Sequence, residues 1–210
     1  MQRMFLAVLV ASLATGTAHA QRPHTVRQPA RWVLNGHSVA AFGTSIGFDG
    51  GAGELKTSLG AGGGVQVGYL VTPRLTAYAG LDIAKQPIDV AGLGGDFGLT
   101  YLEAGARLSF PVRGSKALPY VGVWAGHRSL STTVDDFDTG AQNDLSFSGM
   151  AGGVSGGLQY FVSPAISLDG ALSVGVGKFG NVKVDGVRQP APDAHNSTTT
   201  RVQFGANWYP

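Results

Sequence analysis

The chain has no cysteine, only 13% charged residues and five histidines. The first absence removes disulfides, thiolate nucleophiles and every cysteine-based zinc or iron–sulfur site at once. Low charge with 33 glycines argues against a solvent-exposed helical domain and for a single β domain over the 210 residues. A long apolar run is missing too. The one hydrophobic stretch, Met4 to Ala11, is well short of the roughly 20 residues a membrane helix needs.

That stretch follows Arg3 and precedes Ala18-His19-Ala20, the pattern of a cleaved export signal over residues 1–20, with the cut before Gln21. Gln21 in place of cysteine leaves no lipid anchor at the new end. Residues 21–32 hold two prolines and little apolar content and read as a flexible periplasmic lead segment. The pI near 9.0 is weakly informative, because the basic residues are scattered and three of them, Arg22, Arg27 and Arg31, precede the patterned region; nucleic acid is not an expected partner.

From Val33 to Pro210 the hydrophobic period is two, which is the signature of strands. The clearest run sets Leu102, Ala104, Ala106, Leu108 and Phe110 on one face against Tyr101, Glu103, Gly105, Arg107 and Ser109 on the other. Seven further runs repeat the alternation, the first of them, about Val33 to Phe48, being the weakest. Each run is expected to span 9 to 14 residues, the reach of a tilted strand across a bilayer.

Connections alternate in length. Three are short and centred on proline, at Thr72-Pro73-Arg74, Pro111 to Pro119 and Ser163-Pro164-Ala165. Four are long and polar, at about 49–59, 85–98, 130–146 and 178–198. Every acidic residue except Asp82, Glu103 and Asp169 falls in those long connections. The remaining three share one strand face with Arg107, Arg128 and Arg201.

Unpaired sheet edges are untenable in hydrocarbon, so a spanning sheet closes on itself. The expectation is therefore an all-β, eight-stranded antiparallel up-and-down transmembrane β-barrel over 33–210, with four long outer loops. At eight strands side chains fill the interior, so the inward face should be polar and packed. Asp82, Glu103, Arg107, Arg128, Asp169 and Arg201 are expected to form a structural charge network there, with Glu103 meeting Arg128 toward the outer end and Arg107 near Asp169 below.

These features, with Gly157-Leu158-Gln159-Tyr160-Phe161-Val162-Ser163-Pro164, Leu118-Pro119-Tyr120-Val121-Gly122-Val123 and the closing Val202-Gln203-Phe204-Gly205-Ala206-Asn207-Trp208-Tyr209, resemble the small bacterial outer-membrane barrels of the OmpA transmembrane-domain and OmpX/opacity type. The resemblance implies an outer-membrane location, a monomer surrounded by outer-membrane lipids including lipopolysaccharide, and transient contact with periplasmic chaperones and the outer-membrane assembly machinery. It assigns the C-terminal assembly signal to Phe204, Trp208 and Tyr209, with Pro210 as a departure, since such barrels commonly end on the aromatic. With the sequence read to Pro210, a peptidoglycan-binding domain and cell-wall anchoring are not expected.

No catalytic, cofactor or metal residues are expected. His127-Arg128-Ser129 has the His/Ser spacing of the lipid A deacylases among such barrels, but Leu130 stands where that pattern leads one to expect Asn and no outward acid is adjacent to orient the imidazole. Asp135-Asp136-Phe137-Asp138 lacks the Gly and Glu spacing of a calcium loop. His24, His37 and His195 make no ligand set. The expected function is a non-enzymatic structural or surface-interaction role carried by the loops; a narrow porin-like channel is the alternative, with a lipid-modifying enzyme or a soluble β-sandwich behind it.

Overall fold

The computed structural model describes residues 31–47, 54–56, 59–87, 96–135, 142–184, 187–189 and 195–210. The expected leader and all but the end of the lead segment lie outside them. The described residues form ten strands: β1 Trp32–Gly47, β2 Glu54–Lys56, β3 Gly60–Leu70, β4 Leu75–Pro87, β5 Asp96–Ser109, β6 Ala117–Asp135, β7 Gln142–Ser163, β8 Ile166–Val184, β9 Val187–Gln189 and β10 His195–Trp208. Among the described residues there is no helix.

The long strands pair in sequence order and antiparallel, and β10 then pairs with both β8 and β1. That last pairing, running from Leu34↔Trp208 to Phe42↔Thr200 and, past a register shift, to Ile46↔Ser197, closes an eight-strand barrel of β1, β3, β4, β5, β6, β7, β8 and β10. The two three-residue strands extend hairpins, β2 against β1 and β9 against β8.

Period two decides which way each residue faces. Val65, Val67, Leu102, Val121, Val123, Val154 and Leu172 are exposed on the outer wall, and their strand neighbours point inward. At the short-turn end this apolar band finishes in exposed Trp32, Phe110, Tyr160 and Trp208, with Trp32 edge-on to Tyr69 at 5.0 Å. Aromatic rings with one polar edge settle where hydrocarbon meets headgroups.

The short turns share one device. Thr72 Oγ1 accepts from the amides of Arg74 (3.3 Å) and Leu75 (3.0 Å), Ser115 Oγ from Ala117 (2.9 Å) and Ser163 Oγ from Ala165 (3.3 Å). A hydroxyl two or three residues back satisfies amides that the ladder leaves open. Gly114, with φ of 71°, supplies the left-handed residue of the middle turn.

The first strand, expected at about Val33 to Phe48, runs Trp32–Gly47. One expectation needs correction: several strands outrun 9 to 14 residues, β1 with 16, β6 with 19, β7 with 22 and β8 with 19. The β6–β7 ladder continues to Asp135↔Gln142, through most of the stretch read as a loop. Ladder hydrogen bonds do not require apolar side chains, so polar outward residues such as Ser129, Ser131 and Ser148 end the lipid-facing pattern without ending the strand.

Candidate functional site: the filled lumen

The lumen is built in tiers. Its floor, at the short-turn end, is Val33, Leu118, Phe161 and Tyr209, with Leu70 packed against them. The Tyr209 hydroxyl donates to Gln159 Oε1 at 3.2 Å, so of the three residues assigned to the C-terminal signal only Phe204 and Trp208 face outward.

Above the floor lies an Asp169 tier. Asp169 accepts from the Tyr120 hydroxyl (2.8 Å), Gln159 Nε2 (3.1 Å) and Asn207 Nδ2 (3.2 Å), and Arg107 Nη1 stands 3.8 Å away. Arg107 also donates to Gln66 Oε1, and its guanidinium is held between the rings of Tyr78 (4.5 Å) and Tyr120 (5.1 Å). A small cavity opens beside it, lined by Val33, Asn35, Thr76, Ser109 and Asn207 among others, with room for about one water.

The next tier is centred on Arg201, 1% exposed. Its Nη1 lies 2.7 Å from Asp82 Oδ2 and its Nη2 2.5 Å from Glu103 Oε2, while its Cζ lies over the rings of Tyr101 and Trp124 at 4.6 and 4.7 Å. Aromatic faces suit a weakly hydrated planar cation. Glycine makes space for the rings: a Cβ on Gly175 would come within 2.3 Å of Trp124 Cζ2.

Arg128 sits higher, donating to Thr199 Oγ1 at 3.0 Å beneath the Phe179 ring at 4.1 Å. The expected Glu103–Arg128 pair does not form. Register sets Arg128 opposite Tyr101 and Glu103 opposite Gly126, and in so narrow a barrel long side chains reach across the lumen instead of sideways. Glu103 accordingly bonds to Arg201 on β10.

The roof is apolar: Phe97, Leu99, Leu130 and Phe179, with Val39 and Ala84, are buried inside the wall, and Phe147 packs against them. This departs from a uniformly polar interior. The signal was available, because Leu99 shares parity with Tyr101 and Glu103, and Leu130 with Arg128. Assigning 85–98, 130–146 and 178–198 to loops removed Phe97, Leu130 and Phe179 from the strands.

The sequence also undersold His37. Its ring Nε2 lies 2.8 Å from Asp82 Oδ1 and its Nδ1 2.7 Å from Asn35 Oδ1, tying β1 into the Arg201 tier. Outside the wall, His127 is exposed beside Leu102 and Met150 on the flanking strands, and Ser129 lies between Thr100 and Ser148. Among the described residues no cluster of His, Asp and Glu could hold a metal.

No family model and no curated protein matches the chain. Solved structures do. Neisserial surface protein A superposes with a TM-score of 0.55 at 19% identity, covering 86% of this chain and 97% of its own. Outer membrane protein OprG from Pseudomonas aeruginosa gives 0.55 at 13% identity, covering 85% and 95%. At such identities the likeness is one of fold, and it agrees with the strand order and closure above: the chain has the closed, all-antiparallel eight-strand fold of the small outer-membrane β-barrels.

Proposed function

We propose that the chain is a non-enzymatic, monomeric barrel of the bacterial outer membrane that serves envelope structure or surface interaction through its four long loops. The observation that carries this reading is the raised and roofed wall. The outer face turns polar at about the level of His127, yet β6 and β7 continue paired to Asp135 and Gln142, roughly 25 Å further along the strand. Beneath that rim the apolar roof closes the lumen. A wall lifted clear of hydrocarbon is a pedestal for loops, and a stoppered bore is a poor conduit.

The surroundings follow from the same reading. Outer-membrane lipids, including lipopolysaccharide, would cover the apolar band, and export would use the leader at 1–20. The aromatic outer face of β10, with Phe204 and Trp208, would engage the assembly machinery after periplasmic chaperones release the chain.

The test has two arms. Replacing residues 136–141 by a two-residue Asn-Gly turn should leave a heat-modifiable, folded barrel and abolish an envelope or surface-binding phenotype; retention of every such phenotype, with the other loops treated likewise, would overturn the reading. In planar bilayers the intact protein should be silent, and the Leu130→Ala/Phe179→Ala double variant should stay silent too, because the Arg201 and Asp169 tiers still fill the bore beneath the roof. Steady channels from the intact protein would favour a solute pore. A lipid-modifying activity lost in His127→Ala would favour the enzyme reading.

A further inference from the structure

Four backbone positions at the short-turn end are equivalent. Arg31, Arg74, Lys116 and Ala165 each stand immediately before a strand that rises from that end, namely β1, β4, β6 and β8. The carbonyl of each accepts an amide from the foot of the strand beside it: Arg31 from Leu70 at 2.7 Å, Arg74 from Ser109 at 2.8 Å, Lys116 from Phe161 at 3.0 Å and Ala165 from Tyr209 at 2.8 Å. The positions therefore recur at every second strand, about 10 Å apart along the rim, and the ladder fixes each to the wall. Three of the four are exposed cations, and exposed Arg113 adds another in the turn between β5 and β6.

Acidic side chains sort the other way. Asp82, Glu103 and Asp169 are bonded within the bore. Glu54, Asp96, Asp135 and Asp144 lie at the long-loop end, in the rungs Gly47↔Glu54, Pro87↔Asp96, Asp135↔Gln142 and Thr133↔Asp144. Among the described residues no Asp or Glu stands at the short-turn rim. An exposed rim of one sign draws its counter-charge from outside the chain.

Depth on the wall selects the anion. Arg31 Nη1 donates to the Tyr69 hydroxyl at 3.2 Å, and the neighbouring Trp32 ring meets Tyr69 edge-on at 5.0 Å. Lys116 is one residue from Ala117, whose cross-strand partner is the exposed Tyr160. The cations thus share the level of the aromatic belt, where hydrocarbon gives way to lipid headgroups, and are not carried out into water on a projecting loop.

We propose that the short-turn rim is a ring of phosphate clamps for anionic glycerophospholipids of the leaflet that faces the periplasm. The inference deepens the outer-membrane reading and rests on it, since that reading places the short turns in the inner leaflet. Arg31 and Arg74 offer paired N–H donors to a headgroup phosphate, and Lys116 acts as a point charge. Ala165 interrupts the ring, so the β8–β10 side of the barrel lacks the pull. Headgroup charge on the other three sides holds the barrel at a set depth.

The test folds the full chain into vesicles of equal parts phosphatidylglycerol and phosphatidylcholine, extracts it in mild detergent and counts retained lipids by native mass spectrometry. The parent should retain phosphatidylglycerol over phosphatidylcholine by about tenfold or more, and Arg31→Gln/Arg74→Gln/Lys116→Gln by less than about threefold. Ala165→Arg, which completes the ring, should raise the preference by up to about fivefold. Lys85→Gln/Lys178→Gln, at the opposite end of the wall, should leave it unchanged. A parent without preference, or a triple variant that keeps it, overturns the inference. So does a parent that lacks the preference but binds isolated peptidoglycan through these three cations, which would give the rim to the cell wall. If the triple variant does not fold, Ala165→Arg decides, and no gain overturns the inference. A chain that folds in vesicles of neither lipid fails the membrane reading itself and takes the inference with it, an outcome distinct from folding without lipid preference.

Discussion

Arg201 Nη1 and Asp82 Oδ2 are 2.7 Å apart although β10 and β4 are separated in the wall by β1 and β3. The pair is a strut across the bore, and Glu103 on β5 extends it. Removing the cation alone strands two buried carboxylates. Arg201→Met should lower unfolding free energy by about 3 to 5 kcal/mol, read by urea denaturation in phospholipid vesicles, and Asp82→Asn/Glu103→Gln/Arg201→Met should recover much of that loss. A single variant as stable as the parent would mean that the strut holds nothing.

Packing around Trp124 sets a second test. Gly175 is the position where a Cβ would meet the indole at 2.3 and 2.6 Å. Gly175→Val should destabilise by about 1 to 3 kcal/mol through overpacking. Gly36, where a Cβ would meet nothing within 4 Å, is the control, and Gly36→Ala should be near neutral.

The depth of the outer band can be measured with charge. Val123 is exposed at mid-band on β6, and Ser131 lies eight residues on, above its polar edge. Val123→Arg should cost about 2 to 4 kcal/mol in a bilayer and Ser131→Arg about 0 to 1. Equal effects would place the hydrocarbon elsewhere on the wall.

The C-terminal aromatics should separate by face. Tyr209→Phe removes one inward hydrogen bond, to Gln159, and should cost about 1 kcal/mol in stability while cellular assembly proceeds at the normal rate. Trp208→Ala alters the outward face and should slow assembly in cells, followed by the appearance of the heat-modifiable form. The reverse pattern would assign the signal to Tyr209.

Alternation made the wall legible in the sequence. Where Leu102 faces out, Glu103 faces in, and no tertiary knowledge is needed to say so. Partners inside the bore were not legible, because they depend on shear and reach: Glu103 finds Arg201 almost a hundred residues away rather than Arg128 one strand over. The roof was hidden for another reason. Leu130 and Phe179 lie among Ser, Thr, Gly and Asp, a composition that reads as loop, yet strands persist there because the ladder continues in water while apolar side chains still bury inward. His37 looked idle because its partners Asn35, Asp82 and Gln203 come from three strands.

The seam between β1 and β10 has a consequence in time. The strand made first finds one of its two neighbours only in the strand made last, so a growing chain carries a raw edge from its earliest strand until its final one is delivered. Closure is a single late event linking residues as far apart as Leu34 and Trp208, and contacts of such long separation form slowly. Until then the Arg201 tier cannot assemble either, because Arg201 and Gln203 arrive on that same strand. Seam and strut therefore form together, and a chain ended before β10 would have neither.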